Sequence, residues 1–267
     1  MQEVARLESL CRVLRRVADE EIMPRFRKGS ASLKADGTLL TEADLAAQRA
    51  LARLLPEIAP YPVLGEEMAE HEQQALWRAG RDGLWVVDPV DGTTNFAHGM
   101  PYFAVAAALM RDGRPVLGAI YAPVFDECFA AAAGGGAWLN GRRVRLEKTL
   151  PLAEAVAVVE SKRLPKALAA RIATRPPVHA VRNWGASTMD WCNMAAGRAD
   201  VMLHGAQKLW DYAAGVLILL EAGGRVVAIE TDDYWALDPW QRSVVAARDD
   251  ALLAEWKRWV RAVDQLG

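Results

Sequence analysis

An α+β fold in two closely joined halves is what the sequence predicts, on three observations. Apolar residues recur at helical spacing near the N-terminus, four β-rich runs follow one another between Leu84 and Ala132, and beyond about residue 150 strands alternate with helices. At 267 residues and 52% hydrophobic content the chain can bury a substantial core, and no repeat or long linker divides it. A single domain over 1–267 is therefore expected, with an α+β half carrying an antiparallel sheet over 1–148 and an α/β half over 149–267.

The elements follow in order. Val4, Leu7, Leu10, Leu14, Val17 and Phe26 recur at helical spacing, which predicts a long first helix ending at 24–29, where Pro24 and Gly29 interrupt it. Thr41-Glu-Ala-Asp44 has the form of a helix start ahead of Leu45, Leu51, Leu54 and Leu55, and this second helix is expected to stop before Pro56. A short strand over 61–64 leads to Gly65-Glu66-Glu67 and a polar helix reaching about Gly80. Strands over 84–87, 102–110, 115–122 and 127–132 then form an antiparallel meander, with Asp112-Gly113 as a hairpin turn. Past a boundary at 147–151 come strands over 156–159, 178–181, 199–203, 225–229 and 243–246. Helices over 166–173, 187–196 and 211–222 separate them, and a last helix begins near Asp249. Gly215, inside a helix, costs about 1 kcal/mol of helix propensity, which points to close backbone packing. Gly223-Gly224 ends that helix.

Composition excludes several classes of function. The net charge is -2 and the basic residues are scattered, so there is no field for nucleic acid. Cys11, Cys128 and Cys192 are odd in number and lack CxxC spacing, which suits reduced thiols and a cytoplasmic location. The apolar runs at 103–110 and 213–220 are too short for a bilayer span of roughly 20 residues, so no membrane is expected.

The chemistry concentrates in Leu84-Trp-Val-Val-Asp88-Pro-Val-Asp91-Gly92-Thr93-Thr94. A β-rich run meets two acids, a proline that fixes the backbone between them, and a Gly-Thr-Thr able to open a helix. Glu66 follows another strand, and Asp211 opens a helix. Each has a plainer reading: Asp211 as an N-cap, Asp88 and Asp91 as turn acids, Glu66 as a solvated surface residue. Were they to converge within about 4 Å, each pair would repel by about 4 kcal/mol at an effective dielectric near 20. Hard divalent cations, Mg²⁺ first, would answer such an oxygen-only cluster.

Taken in order along the chain, Gly65-Glu66-Glu67, Asp88-Pro-Val-Asp91-Gly92-Thr93-Thr94-Asn-Phe96, Trp210-Asp211-Tyr-Ala-Ala-Gly215 and Glu221-Ala-Gly-Gly224 resemble the inositol monophosphatase family of metal-dependent phosphatases. Lys34-Ala-Asp-Gly-Thr-Leu-Leu-Thr41-Glu-Ala-Asp44 is similar to that family's first loop and helix start. Gly134 to Gly141 is similar to its small-residue hairpin. The resemblance implies a layered α/β/α/β/α sandwich of the inositol monophosphatase and fructose-1,6-bisphosphatase type, lithium sensitivity and a homodimer. It implies a first Mg²⁺ on Glu66, Asp88 and the Val90 carbonyl, a second on Asp88, Asp91 and Asp211, and a weaker third leaning on Glu66, with Asp44 further out. Thr93 and Asp44 would orient the attacking water, Glu66 would act as base, and the Gly92 and Thr93 amides would face the phosphate, with Gly92 bare so that the phosphate can approach. Asp91→Asn would then abolish activity with the fold intact.

Gly185-Ala186-Ser187 followed by Thr188-Met-Asp190 is similar to the family's substrate-contacting loop and helix, although Ser187 also reads as an N-cap answered by Asp190. His204 departs from the pattern: it stands where members acting on inositol phosphates commonly carry a glutamate, with Lys208 nearby to favour a second anion. The substrate implied is a small phosphate monoester, inositol-1-phosphate or a related sugar or alcohol phosphate. Histidinol phosphate, fructose bisphosphate, nucleotide 3'-phosphates and NADP are alternatives within the family. A regulatory binding protein on the same scaffold and a metal-dependent nuclease are readings from other classes.

Overall fold

The computed structural model describes residues 2–28, 31–33, 39–147 and 149–262. Helix α1 (Gln2–Val17) continues through a π turn (Ala18–Ile22) and a 3₁₀ turn (Met23–Arg25), so the chain leaves its first helix at Pro24 as expected. Strands β1 (Ala31–Leu33) and β2 (Leu39–Thr41) pair antiparallel ahead of α2 (Glu42–Ile58). The sequence anticipates neither strand. Of the expected first loop, 34–38, including Lys34, lies outside the described residues. Helix α2 starts after Thr41 as expected but runs through Pro56 to Ile58. A proline this close to a helix end removes one amide where few bonds remain, and the Ala59 amide still reaches the Leu55 carbonyl at 3.3 Å.

Strand β3 (Val63–Gly65), helix α3 (Glu70–Ala79), strand β4 (Leu84–Asp91) and the short helix α4 (Thr93–Ala97) come next. Strands β5 (Ala104–Arg111), β6 (Arg114–Ala122), β7 (Glu127–Ala132), β8 (Gly136–Leu139) and β9 (Arg142–Val144) complete a seven-stranded sheet in the order β3-β4-β5-β6-β7-β8-β9. All its pairs are antiparallel except β3 with β4. The expected Asp112-Gly113 turn joins β5 to β6, with φ of 45° and 73°, the left-handed pair that a tight hairpin needs.

A second sheet follows. It contains β10 (Val156–Glu160), β11 (Ala180–Arg182), β12 (Val201–Gln207), β13 (Arg225–Val227) and β14 (Arg242–Ala247), ordered β11-β10-β12-β14-β13. Helices α5 (Lys166–Thr174), α6 (Ser187–Ala195), α7 (Leu209–Glu221) and α8 (Asp250–Arg261) connect and cover it. Helix α7 begins two residues before the expected start, so Asp211 is not its cap residue but the third residue of its first turn.

Strand alternation assigns the layers. On β4, Trp85 and Val87 pack with α1 and α2, whereas Leu84 and Val86 face α6 and α7. The second sheet presents Val158, Met202 and Val244 to those same helices and Ala157, Val201 and Val245 to α5 and α8. The order is thus α1/α2, seven-stranded sheet, α6/α7, five-stranded sheet, α5/α8, the five-layered sandwich expected. Helix α7 lies between two sheets, which is why it is apolar all round. Among the described residues no helix is long and apolar enough to cross a membrane.

Close packing of α6 on α7 gives Gly215 its reason. A Cβ there would stand 2.3 Å from Trp191 Cγ, inside a fully buried indole. Gly215→Ala should gain about 1 kcal/mol of helix propensity yet lose about 1–3 kcal/mol to overpacking. Chemical denaturation should therefore show net destabilisation.

Candidate metal centre and substrate cavity

Strand β4 is buried along its whole length, and its ladder to β5 breaks at the site. Asp88 stands opposite Ala106, but the next partners are Asp91 and Ala104, so β4 carries one extra residue at Pro89-Val90. Residues three apart on a regular strand point to opposite faces. The bulge returns Asp91 to the side of Asp88, the side facing α6 and α7. Proline suits this place because its missing amide falls where the ladder is already broken.

Three other elements aim at the same point. Glu66 leaves β3, the parallel neighbour of β4. Asp211, in the first turn of α7, accepts the Lys208 amide at 2.9 Å with one oxygen, a reach back over the helix end. The α6 N-terminus meets Asp91: the Thr188 amide and hydroxyl donate to one oxygen at 2.7 and 2.6 Å, and the Ser187 amide donates to the other at 3.2 Å. Asp91 therefore takes the part expected of Ser187 and Asp190. It caps α6 from across the interface of the two sheets' layers.

Asp88, Asp91 and Asp211 bring carboxylate oxygens within 4.8 Å of one another. Burial, then the charges of Glu66, Asp91 and Asp211, hold the Asp88 carboxyl well above its ordinary range. Burial likewise pushes Asp91 up to about 6, against the lowering effect of the Thr188 and Ser187 hydrogen bonds. Asp211 is pushed up to about 8 by burial and by the charges of Asp91 and Glu66. Asp88 Oδ1 is sealed from solvent and has no hydrogen-bond partner among the described residues. An unanswered carboxylate oxygen among other acids is what a cation would satisfy, and a donor set made only of oxygens fits a hard divalent ion.

Beside the cluster, the Thr93 hydroxyl donates to the Val90 carbonyl at 2.9 Å and lies 3.4 Å from Asp44 Oδ1. The other Asp44 oxygen accepts the Thr41 amide at 2.7 Å and the Thr41 hydroxyl at 2.5 Å. Asp44 thus closes the start of α2 with one oxygen and reaches Thr93 with the other. Gly92 has a structural reason of its own. Its φ is 85°, and a Cβ would point at Ala186 Cβ and the Tyr102 carbonyl, each 3.1 Å away. Backbone conformation and the α6 contact by themselves require glycine here.

Asp91 and Asp211 also border a cavity of about 180 Å³ whose far wall comes from the second sheet. Gly185, Ala186, Ser187 and His204 line it as expected; Gly185 has φ of 75° and its amide donates to Asn183 Oδ1 at 3.2 Å. Asp190, in the Thr188-Met-Asp190 helix start that the resemblance joins to that loop, lines it too, and Glu160, Lys162 and Arg163 do so unforeseen. Glu160 faces His204 across the β10–β12 register, so a carboxylate is present after all. Lys208 is not among the lining residues; the cations there are Lys162 and Arg163. The one signal that could have found them is their place just past the C-terminal end of a predicted strand, where ligand sites of open α/β sheets gather.

Similarity to known proteins runs along the whole chain. A family model described as the inositol monophosphatase family matches residues 3–263. The chain is 38% identical over 201 residues to an inositol-1-monophosphatase of Rhizobium meliloti, covering 72% of this chain and 73% of that one. Against a protein named Nus factor SuhB, from Pasteurella multocida, identity is 34% over 201 residues, 73% of each. Among solved structures, the suppressor protein suhB of Bartonella henselae superposes with a TM-score of 0.83 at 28% identity, over 97% of this chain and 100% of that one. An IMPase of Thermotoga maritima gives 0.82 at 26% identity, over 96% of both.

Proposed function

The chain belongs to the inositol monophosphatase family, phosphatases of small phosphate monoesters, and from that premise we propose that its acid cluster holds two or three Mg²⁺ ions for hydrolysis by an activated water. The observation that carries this reading is the convergence of Asp88, Asp91 and Asp211 around an oxygen with no partner. Glu66, Asp88 and the Val90 carbonyl would hold one ion, and Asp88, Asp91 and Asp211 another. Glu66 would lean on a third.

Bound there, the cations would lower the pKa of a coordinated water and neutralise the phosphate and the departing alkoxide. The rest falls to the chain. With the Val90 carbonyl committed to a cation, the Thr93 hydroxyl would donate to Asp44 Oδ1 and turn a lone pair toward the water. Asp44 is held for this by its two bonds from Thr41. Glu66 would take the water's proton, and the Gly92 and Thr93 amides at the start of α4 would face the phosphate oxygens. Gly185, Ala186, Ser187 and His204 would border the alcohol. A cytoplasmic homodimer belongs to the same reading; exposed Met100, Val124 and Phe125, the last stacked edge-on against Tyr102, support a partner copy. A binding role beside catalysis draws support from relatives named as Nus factors.

The test is phosphate release from a panel of inositol, histidinol, hexose and nucleotide phosphates. Release with Mg²⁺ that stops on chelation and falls with lithium is the expected result. No release from any of them would end the reading.

A further inference from the structure

Two cations share the substrate cavity with the carboxylates of Asp91, Glu160, Asp190 and Asp211 yet form an ion pair with none of them. Lys162 and Arg163 lie in the turn that leaves β10, and no ion pair involves either among the described residues. The turn is tied down. Glu160 accepts the Lys162 amide at 2.6 Å with one oxygen and the Asn183 side chain at 3.4 Å with the other. Arg163 donates to the Ala206 carbonyl at 2.8 Å, and its own backbone crosses β12 so closely that a Cβ on Gly205 would sit 1.9 Å from the Arg163 carbonyl oxygen.

His204 adds to the same character. Its Nδ1 accepts the Ala206 amide at 3.2 Å, which leaves the ring proton on Nε2 and makes that nitrogen a donor. Burial, then the charge of Arg163, holds this imidazole down at about 3, hence neutral. The wall's acceptors are partly engaged: each Glu160 oxygen already accepts one hydrogen bond, and Asp190 Oδ1 is sealed from solvent. A neutral polyol presents hydroxyls that both donate and accept, whereas an anion only accepts. This wall mainly donates.

We propose that Lys162 and Arg163 select a phosphate monoester whose alcohol part carries a second anionic group, a phosphate or a carboxylate. The inference rests on the phosphatase reading above. With a cavity of about 180 Å³, both groups belong to one small molecule. Glu160 is a positioning residue that holds the turn presenting the cations.

The experiment compares kcat/KM for Mg²⁺-dependent phosphate release across three arms. Myo-inositol 1-phosphate and glycerol 2-phosphate have neutral alcohols; fructose 1,6-bisphosphate and adenosine 3',5'-bisphosphate carry a second phosphate; 3-phosphoglycerate carries a carboxylate. The wild type should prefer one of the last two arms, which also identifies the anion. In Lys162→Gln/Arg163→Gln that preference should fall roughly tenfold or more, through KM, the size of a lost charged hydrogen bond. Lys162→Gln alone, which keeps the Arg163 bond to Ala206, should lose part of it. A wild-type preference for the neutral arm, or equal losses on all arms, would overturn the inference and leave the phosphatase reading standing. Release from no arm would overturn both.

Discussion

Asp88→Asn is expected to abolish metal-dependent phosphate release while making the metal-free protein more stable to heat. The loss should be at least about a thousandfold, since this carboxylate would ligate both principal ions and electrostatic groups of a reaction centre commonly carry two to three powers of ten each. The gain follows from burial. Asp88 is sealed among Glu66, Asp91 and Asp211, and its Oδ1 has no partner to lose. At 4 Å and an effective dielectric near 20 each such pair opposes folding by about 4 kcal/mol, an upper bound for what the amide relieves. The sign depends on pH. With folded-state values raised to about 6 for Asp91 and about 8 for Asp211, and higher than ordinary for Asp88, the folded chain retains protons that the unfolded chain has released. Stability of the metal-free protein therefore falls as pH climbs from about 4 to 8. The advantage of the Asp88→Asn variant should be small near pH 4 and largest near pH 8, read as melting temperature in chelator. Saturating Mg²⁺ should reverse the order, stabilising the wild type by about 2.7 kcal/mol at a hundred times its dissociation constant. Equal melting temperatures at pH 8 would mean that the four acids do not strain the fold.

Much of this centre is legible in the sequence because its residues announce themselves locally. Asp88-Pro-Val-Asp91-Gly92 places a proline and a left-handed glycine around two acids, and strand, bulge and turn all follow from that one stretch. The layered fold is legible for a similar reason: the nearly unbroken apolar runs of β4 to β7 and the apolar body of α7 reflect cover on both sides. What stays hidden depends on partners remote in the chain. Asp91 caps α6 from 97 positions away through Thr188, and no local pattern distinguishes that from Ser187 capping its own helix. Glu160 meets His204 only through the β10–β12 register, so reading position 204 alone suggests that no carboxylate is present. Strands β1 and β2 are three residues each, too short for alternation to register.

Asp91→Asn should abolish activity as Asp88→Asn does, but with the opposite effect on the metal-free fold. Sequence alone suggests that this change leaves the fold untouched; the hydrogen bonds argue otherwise. Both Asp91 oxygens accept from α6, three donors in all. An asparagine keeps one acceptor and sets an amide group against the remaining amide or hydroxyl, so the α6 N-terminus loses part of its cap, worth about 0.5–2 kcal/mol. Removing the charge relieves some repulsion, yet those same bonds already stabilise the charged form of Asp91 and work against its rise. The melting temperature in chelator should drop, where that of Asp88→Asn climbs. Thr188→Val, which deletes the hydroxyl donor and no ligand, should reproduce part of the drop while retaining activity. If Asp91→Asn instead melts higher than wild type, repulsion outweighs the cap, and the contact between β4 and α6 contributes little to joining the two sheets around the site.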